Sequence, residues 1–483
     1  MSAYSRFLKK TVKEKDICVA KMAQYCNMDR SLMYKVINGK NKISKIYAKK
    51  IANYLKLTPA ECQQYYENFY KLVYGEEVYR HKYQIVDFLC NFDDAIRHPL
   101  YMEKESEIKL LDNFQIHMME SRSEINYYIK LLVEKESQKE YPSIELMTQC
   151  DNQYLMDTLL MAGKSRPNLK ITHIVCLQES QESMWDNISM VKNILPFYKY
   201  QCNYEARCYY DNINSHFHNM NMFCNTLICE EGVLCYTSDY GFGQLIRDKE
   251  SIRIYQKIFM QYRKETYAFM IKMKSIMEQL CMTRDNYVFK GKNRNFYTIG
   301  AEPCVLPFVT DYILDKKIHQ DMPYRDQAIK LFREYINNVR GAADRGDYHV
   351  FFTMAGINYF MQGQRLLGIP HDFYDEFTQK ECIDMIKKLI PYVKTGKYRI
   401  LKNKLEDLSG EVEVFVSPEV CQLVFKTEED EYAHIKINES GMVDLLYSFA
   451  EDMDEDMFLY TPEEGVCMLE EFIEKYERCK WDK

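Results

Sequence analysis

The first 60 residues of the chain concentrate side chains that bind phosphate. They contain 14 lysines and arginines against three aspartates and glutamates, a formal balance of +11. The whole chain of 483 residues carries −7, so residues 61–483 carry −18. Ammonium and guanidinium groups bind phosphate oxygens through charge-assisted hydrogen bonds. The asymmetry predicts a polyanion partner for the N-terminal segment, and the alternative is a solvated basic surface without a partner.

The remainder of the chain shows no catalytic motif. The G-x-S-x-G, H-E-x-x-H, P-loop and G-x-G-x-x-G patterns are absent. His216 and His218 have the spacing of two metal ligands, but no third ligand follows at a suitable distance. We therefore expect no enzyme activity, no catalytic or metal-binding residue and no cofactor.

The 17 cysteines form no C-x-x-C pair. Their densest group matches no zinc template: Cys202, Cys208, Cys224, Cys229 and Cys235. We interpret them as small apolar core residues of a protein in the reducing cytosol, and a metal or redox site is the alternative. No run of about 18 apolar residues occurs, so no membrane span is predicted.

A helical pattern positions the basic side chains. Apolar residues recur at helical spacing on both sides of a tight turn: Met22, Ala23, Cys26, Met28, Met33, Val36 and Ile37. Asn27 suits the left-handed backbone of such a turn, and Asp29 suits the N-cap of the helix that follows. Two short helices packed across a turn need this spacing.

Three further helices are predicted around this pair. The first runs from about Ser5 to Lys13, and Thr58 with Pro59 opens the last. Ser44 is expected to cap the helix between them. The inner side of that helix is predicted to carry Ile46, Ile51, Ala52 and Leu55.

This segment resembles the Cro/Xre-type helix-turn-helix, the lambda-repressor-like family. The residues that carry the resemblance are Met22-Ala23, Cys26-Asn27-Met28, Asp29-Arg30-Ser31 with Met33 and Val36, Asn38-Gly39-Lys40, and the run from Ile51 to Thr58. The sequence departs from the family at Val19, where a phosphate-binding Gln is frequent, and at Ile37, where Glu is usual. The resemblance covers about one-seventh of the chain and implies a bacterial transcription regulator, with repressor as the expected type.

The resemblance also implies that the helix after Asp29 enters the major groove with its N-terminus first. The residues expected to contact DNA are Asp29, Arg30, Ser31, Tyr34, Lys35, Asn38, Lys40, Lys42 and Ser44. Arg30 can donate two hydrogen bonds to guanine O6 and N7, while Ser31 and Tyr34 can reach base edges, a thymine methyl or a phosphate. The lysines, the Asn38 amide and a backbone amide near Ser44 are expected to contact phosphates. A helical protein-interaction domain that has lost DNA binding is the alternative.

The residues after 75 are predicted to form a helical connector at 76–140 and two α/β domains at 141–285 and 286–483. The aromatic stripe just before this region is interpreted as core or dimer seam: Tyr65, Tyr66, Phe69, Tyr70, Leu72 and Val73. Strands are predicted at Leu169–Leu177, Tyr204–Tyr210, Met220–Cys229, Gly232–Thr237, Phe296–Ala301, Tyr398–Lys402, Val412–Ser417, Gln422–Thr427 and Ala433–Ile437, and a long helix at Lys249–Gln279. The predicted fold class is multi-domain, with an all-α helix-turn-helix N-terminal domain followed by a mixed α/β body.

These observations predict a one-component regulator in the cytoplasm. We expect a homodimer on double-stranded DNA, with half-sites about 34 Å apart in a pseudo-palindromic operator. The large body is expected to dimerise and to sense an unknown small-molecule or peptide effector. The alternatives are a DNA-binding head fused to a hydrolase or nuclease, and a prophage-type repressor whose body only binds proteins.

Overall fold

The chain folds into two compact units, Met1–Ile85 and Val86–Lys483. The first is helical and the second contains mixed α/β sheets, so the protein is multi-domain in the coarse sense that the sequence predicts. The divisions at residues 75, 140 and 285 remain predictions. The computed structural model describes residues 1–93, 114–177, 184–211, 223–273, 278, 294–322, 324–453 and 455–478, without the side chains of residues 184–186 and 456.

The first unit is built from short amphipathic helices. They are α1 (Ala3–Glu14), α2 (Val19–Tyr25), α3 (Arg30–Ile37), α4 (Lys45–Leu55), α5 (Pro59–Tyr74) and the beginning of α6 (Glu76–Cys90). All seven apolar residues of the sequence pattern from Met22 to Ile37 are buried. Thr58 and Glu61 form a capping box at the start of α5, which confirms the predicted N-cap.

The inner side of α4 differs from the prediction at one position. Ala48, Ile51, Ala52 and Leu55 are buried, but Ile46 is 69% exposed. Each residue advances about 100° around a helix, which puts Ile46 opposite the arc that Ala48 and Leu55 share. The assignment of Ile46 to the core was therefore wrong.

Two buried tyrosine hydroxyls connect three of these helices. The Tyr4 hydroxyl in α1 lies 2.6 Å from the Tyr65 hydroxyl in α5. Tyr65 in turn donates a hydrogen bond of 2.9 Å to the Ala48 carbonyl in α4. Of the aromatic stripe on α5, Tyr65, Phe69 and Tyr70 are core residues.

The second unit contains two sheets. The strands are β1 (Ile116–Met119), β2 (Ser143–Met147), β3 (Lys170–Leu177), β4 (Tyr204–Tyr210), β5 (Asn225–Cys229), β6 (Gly232–Tyr236), β7 (Gly243–Ile246), β8 (Tyr267–Ala268), β9 (Met270–Lys272), β10 (Phe296–Gly300), β11 (Tyr348–Phe352), β12 (Tyr398–Ile400), β13 (Val412–Val416), β14 (Cys421–Lys426) and β15 (Tyr432–Ile437). The strand orders are β1-β7-β6-β5-β2-β3-β4-β8 and β12-β11-β10-β13-β14-β15-β9.

Each sheet joins a parallel part to an antiparallel part. In the first sheet β2, β3 and β4 are parallel, and in the second β10, β11 and β12 are parallel. Parallel strands need crossover connections, which helices supply. The helices of this unit are α7 (Arg122–Ser137), α8 (Gln153–Ser165), α9 (Met184–Lys199), α10 (Lys249–Glu265), α11 (Asp311–Lys317), α12 (Arg325–Arg345), α13 (Met354–Gly363), α14 (Gln379–Lys394), α15 (Ser440–Glu451), α16 (Glu455–Phe458) and α17 (Pro462–Arg478), with 3₁₀ turns at Leu306–Phe308 and Asn403–Asp407.

A strand forms within each of the nine predicted strand segments, with some ends shifted. The predicted long helix at Lys249–Gln279 is wrong from Thr266 to Met273, because the chain turns there into β8 and β9; its end at 274–277 and 279 lies outside the described residues. These two strands belong to different sheets, so the change of sheet falls between Ala268 and Met270. β1 forms a strand inside the segment that was predicted as a helical connector.

A close backbone approach joins α13 to the carboxyl end of β10. A Cβ atom added at Gly356 would overlap the Ala301 carbonyl. The Thr353 hydroxyl caps α13 by accepting from the Gly356 N–H at 2.9 Å, and it donates to the same Ala301 carbonyl at 3.2 Å. Only glycine permits this approach, which positions the residues that follow β10.

We expect Gly356→Ala to lower the stability of the protein by about 1–3 kcal/mol or more, because the overlap involves backbone on both sides. Gly363→Ala is the matched control in the same helix, since a Cβ there meets nothing within 4 Å. That substitution should be neutral or stabilising by about 0.5–1 kcal/mol. Urea unfolding followed by fluorescence measures both, and equal midpoints for the two variants would contradict the packing described.

Candidate nucleic-acid interface

The predicted contact residues begin at a capped helix end. Asp29 is the N-cap of α3 and accepts hydrogen bonds from the Ser31 N–H at 2.7 Å and the Leu32 N–H at 3.2 Å. The hydroxyl of Ser31 and these N–H groups lower the pKa of the Asp29 carboxyl. Asp29 is thus the predicted N-cap, and its carboxylate is already engaged by α3 itself.

The turn before α3 has the backbone that the sequence predicts. Asn27 has φ +52°, in the left-handed region, and its N–H donates to the Gln24 carbonyl at 3.1 Å. The next N–H, of Met28, donates to the Ala23 carbonyl at 2.9 Å. These bonds end α2 and reverse the chain, so the direction in which α3 leaves is set by two residues.

A serine of the first helix holds the other end of α3. The Ser5 hydroxyl donates a buried hydrogen bond of 3.2 Å to the Val36 carbonyl. Gly39 has φ +72°, and a Cβ there would lie 3.0 Å from the Ser5 Oγ. Sequence reasoning missed Ser5, although Tyr4, Ser5, Leu8 and Thr11 form a buried stripe at helical spacing.

All nine predicted contact residues are exposed. The Arg30 guanidinium lies 5.8 Å from the ring centroid of Tyr34, one turn further along α3. A cation above an aromatic face gains about 0.5–1 kcal/mol at an exposed site. The contact therefore favours one orientation of the two side chains that were expected to reach base edges.

Asn38 and Ser44, two of the nine residues, differ in whether their side chains already form a hydrogen bond at a helix end. The Asn38 amide donates to the Tyr34 carbonyl at 2.9 Å, so one of its two N–H bonds is used to end α3. Ser44 occupies the N-cap of α4 in an extended conformation, but its hydroxyl makes no cap hydrogen bond. Ser44 is thus the predicted N-cap by position and not by side-chain bonding.

The charge around α3 is almost entirely positive. Residues 17–60 contain nine lysines and arginines and a single acidic residue, the capping Asp29. Arg30, Lys35, Lys40 and Lys42 are exposed. Cations gathered in this way raise the local concentration of a polyanion.

The described residues show no cluster of metal ligands. No group of three or more His, Cys, Asp or Glu side chains could hold a metal among the residues that the structure describes. Four of the five clustered cysteines are buried, and Cys224 is half-buried. His216 and His218 lie outside the described residues. No described helix is both long enough and apolar enough to cross a bilayer.

No protein-family model and no curated protein matches the sequence. Among solved structures, TrmBL2, described as an archaeal chromatin protein with a novel mode of DNA binding, is similar at 14% identity and a TM-score of 0.24. That alignment covers 44% of this chain and 72% of TrmBL2. The polyphosphate kinase of Porphyromonas gingivalis is similar at 10% identity and a TM-score of 0.21, over 75% of this chain and 56% of the kinase. TM-scores this low establish no common fold.

We expect Asn27→Ala to destabilise the α2–α3 pair by about 1 kcal/mol, because a Cβ atom disfavours the left-handed region and alanine lacks the polar group with which asparagine offsets that cost. Asn27→Gly is the matched control and should be close to neutral. Hydrogen exchange of the amides from Val19 to Ile37, followed by mass spectrometry of the full chain, measures both. Equal protection in the two variants would show that the turn does not depend on φ at this residue.

Proposed function

We propose that the protein is a sequence-specific DNA-binding transcription regulator with a Cro/Xre-type helix-turn-helix at its N-terminus. The observation that carries the proposal is the surface of α3. Its exposed side presents Arg30 and Tyr34 in contact with each other, within a segment that has nine cationic residues and one acidic residue. Base edges and phosphates are the partners that this combination suits.

The side chains divide into those proposed to select the base sequence and those proposed to position the protein on the DNA backbone. Arg30 lies in the first turn of α3, the part of a recognition helix that reaches base edges, and a bidentate bond to guanine is its proposed contact. Ser31 follows Arg30 and keeps hydroxyl lone pairs that can accept from a base amino group. The exposed lysines Lys35, Lys40 and Lys42 are proposed to bind phosphates without selecting a sequence.

A protein-interaction domain of the same architecture would not need this charge. Clustered cations repel one another, and a bound polyanion relieves this repulsion. The single acidic side chain of the segment caps α3, so it does little to balance the field. This favours DNA over a protein partner.

The remaining parts of the proposal rest on the sequence. The protein is proposed to bind a pseudo-palindromic operator as a homodimer in the cytoplasm of a bacterium, as a repressor. The unit Val86–Lys483 is proposed to dimerise and to bind an effector rather than to act as an enzyme.

Arg30→Ala should weaken binding to the selected operator by about 1–3 kcal/mol and relax the preference at one base position. The physical reason is the loss of two directed hydrogen bonds to a base edge. The operator is first obtained by selection from random DNA with the full-length protein. Fluorescence anisotropy then measures affinities for that site and for a scrambled duplex at one fixed salt concentration.

Two further variants serve as controls. Lys9→Ala removes one exposed charge of α1, outside the proposed contact set, and should leave the ratio of specific to non-specific affinity unchanged. Lys40→Ala should weaken both duplexes alike and reduce the slope of log K against log salt by about 0.9. If Arg30→Ala retains the wild-type preference for the operator, the groove assignment is wrong.

The proposed dimer has its own test. Sedimentation with fluorescent DNA should show two chains on a duplex with two half-sites one helical turn apart, about 34 Å. Duplexes with half a turn inserted should bind less tightly, because the two heads would then face opposite sides of the DNA. A strict monomer, both free and on the two-half-site duplex, would contradict the proposal.

A further inference from the structure

A partly open cavity, lined by both polar and apolar side chains, lies in the unit Val86–Lys483, on one face of the second sheet. Its volume is about 90 Å³. The sheet contributes residues of β10, β13, β14 and β15, and α12, α13 and the loop 366–369 cover it. The polar side chains in its wall include Glu302, Glu413, Gln422 and His434. These polar groups favour an occupant that can form hydrogen bonds with them.

The sheet register brings these residues together. Gly300 pairs with Glu413, Glu413 with Val424, and Val424 with His434, so one lateral row crosses four strands on a single face. Glu413 and His434 are two strands apart, about 10 Å between backbones. The small Gly300 and Val424 leave room beside them. Glu302 follows β10 immediately beyond the carboxyl end of that strand.

Both glutamates line the cavity, and the Lys426 ammonium acts on Glu302 only from beyond ion-pair distance. Within the described part of the chain, neither Glu302 nor Glu413 has a hydrogen bond or an ion pair within 4.0 Å. Burial, then the neighbouring Glu413, raises the pKa of Glu302 to about 8, and burial raises the pKa of Glu413 to about 7. Carboxyl groups held in this way gain from any cation that enters.

His434 is a third group in the wall whose hydrogen-bonding capacity the protein does not use fully. Its side chain is 6% exposed. The Nε2 atom lies 2.9 Å from the Gly368 carbonyl, which can only accept, so Nε2 carries the proton. Burial lowers the pKa of His434 to about 4, so the ring is neutral and Nδ1 is an acceptor. Nδ1 is buried and has no hydrogen-bond partner among the described residues.

We propose that this cavity binds a small organic cation of amine or guanidine type, with its N–H groups donating to Glu302, Glu413 and Nδ1 of His434. All three protein groups are acceptors when the carboxyls are ionised, so the ligand must be rich in donors. Binding itself does not depend on the DNA-binding function proposed above, but a role as effector site does rest on it.

The volume and the lining of the cavity limit the ligands that can bind in it. An engineered cavity of about 150 Å³ holds benzene, so about 90 Å³ suits a ligand of about four to six non-hydrogen atoms. Tyr335, Tyr348 and Phe415 contribute aromatic surface to the wall. Aromatic faces attract organic cations, and they suit flat guanidinium groups in particular. The cavity lies at the carboxyl end of β10, which pairs in parallel with β11 on one side and antiparallel with β13 on the other. Open α/β sheets commonly bind ligands beyond the carboxyl ends of their strands.

Binding of a cation should release protons, because it favours the ionised carboxyls. Affinity should therefore rise from pH 6 to pH 9, the range that contains the pKa values of Glu302 and Glu413. The other titratable groups that interact with these two or line the cavity are Cys304, Tyr335, Tyr348, Tyr374, Lys426, Tyr432 and His434. Burial raises the pKa of Cys304 to about 12 and raises the pKa values of the tyrosines. Burial alone would lower the pKa of Lys426, but Asp430, Tyr432 and Glu411 together raise it. These groups keep their charge over the range.

The test uses the full chain without DNA, in calorimetry and thermal unfolding at pH 8.5. Methylguanidinium and 1,3-diaminopropane are the probes, and N-methylurea is the neutral match of methylguanidinium in shape. We expect at least one cation to bind and to raise the unfolding temperature, and N-methylurea to do neither. Glu302→Gln and Glu413→Gln should each weaken the cation about tenfold or more, since each removes a charge-assisted bond.

Glu419→Gln is the matched control, because Glu419 is exposed after β13 and pairs with Arg294 outside the cavity. It should bind the cation as wild type does. Both cavity variants keep the shape of the side chain and remove an unpaired buried charge, so their unfolding temperature without ligand should equal or exceed that of wild type at pH 8.5. The proposal is overturned if neither cation binds at about 10 mM, if N-methylurea binds equally well, or if the cavity variants bind as wild type does. Cation binding by a protein that binds no DNA would support this site and refute only the proposed function.

Discussion

The first unit depends on one buried chain of hydrogen bonds. The hydroxyls of Tyr4 and Tyr65 are 2.6 Å apart, and Tyr65 donates to the Ala48 carbonyl. Each group satisfies a polar atom that would be costly to bury alone. These hydrogen bonds join α1 to the consecutive helices α4 and α5, and α2 and α3 lie between them in the sequence. Ser5, the neighbour of Tyr4, extends the effect to the Val36 carbonyl of α3.

This arrangement leaves the charges outside. The interior of the unit is filled mainly by aromatic and aliphatic side chains, and the cations Arg30, Lys35, Lys40 and Lys42 lie at the surface. Their mutual repulsion is tolerable in water because exposed charges are screened over about 8–10 Å at physiological salt. The stability of the unit and its affinity for a polyanion are therefore set by different residues.

Sequence patterns predicted what is local. Helix caps at Asp29 and Thr58, the left-handed Asn27 and the longer strands each depend on a few consecutive residues, and each is present in the structure. The prediction for Ile46 was wrong because it followed from the apolar side chain alone, whereas the position of Ile46 around α4 places it opposite the buried residues. β8 and β9 were missed because such short edge strands are defined by their partners, not by their own composition.

The cavity could not be predicted from the sequence, because its parts meet only through the sheet. Glu302 and Glu413 are more than a hundred residues apart, and each looks like an ordinary surface carboxylate in its own segment. Their meeting requires the antiparallel pairing of β10 with β13 and the approach of Gly356 to Ala301.

Such a pair is an unfavourable element of a core. Unpaired buried carboxylates destabilise the folded state as they ionise, so above the normal pKa of glutamate the ligand-free unit loses stability as the pH rises toward about 8. A cation that binds only the folded arrangement restores it by mass action. The same ligand can alter DNA affinity only if it prefers one of two arrangements of the protein. An effector site must bind its ligand, and the charge of this cavity meets that requirement. An effector site must also prefer one arrangement of the protein, and this preference must come from coupling between the cavity walls and the remainder of the chain.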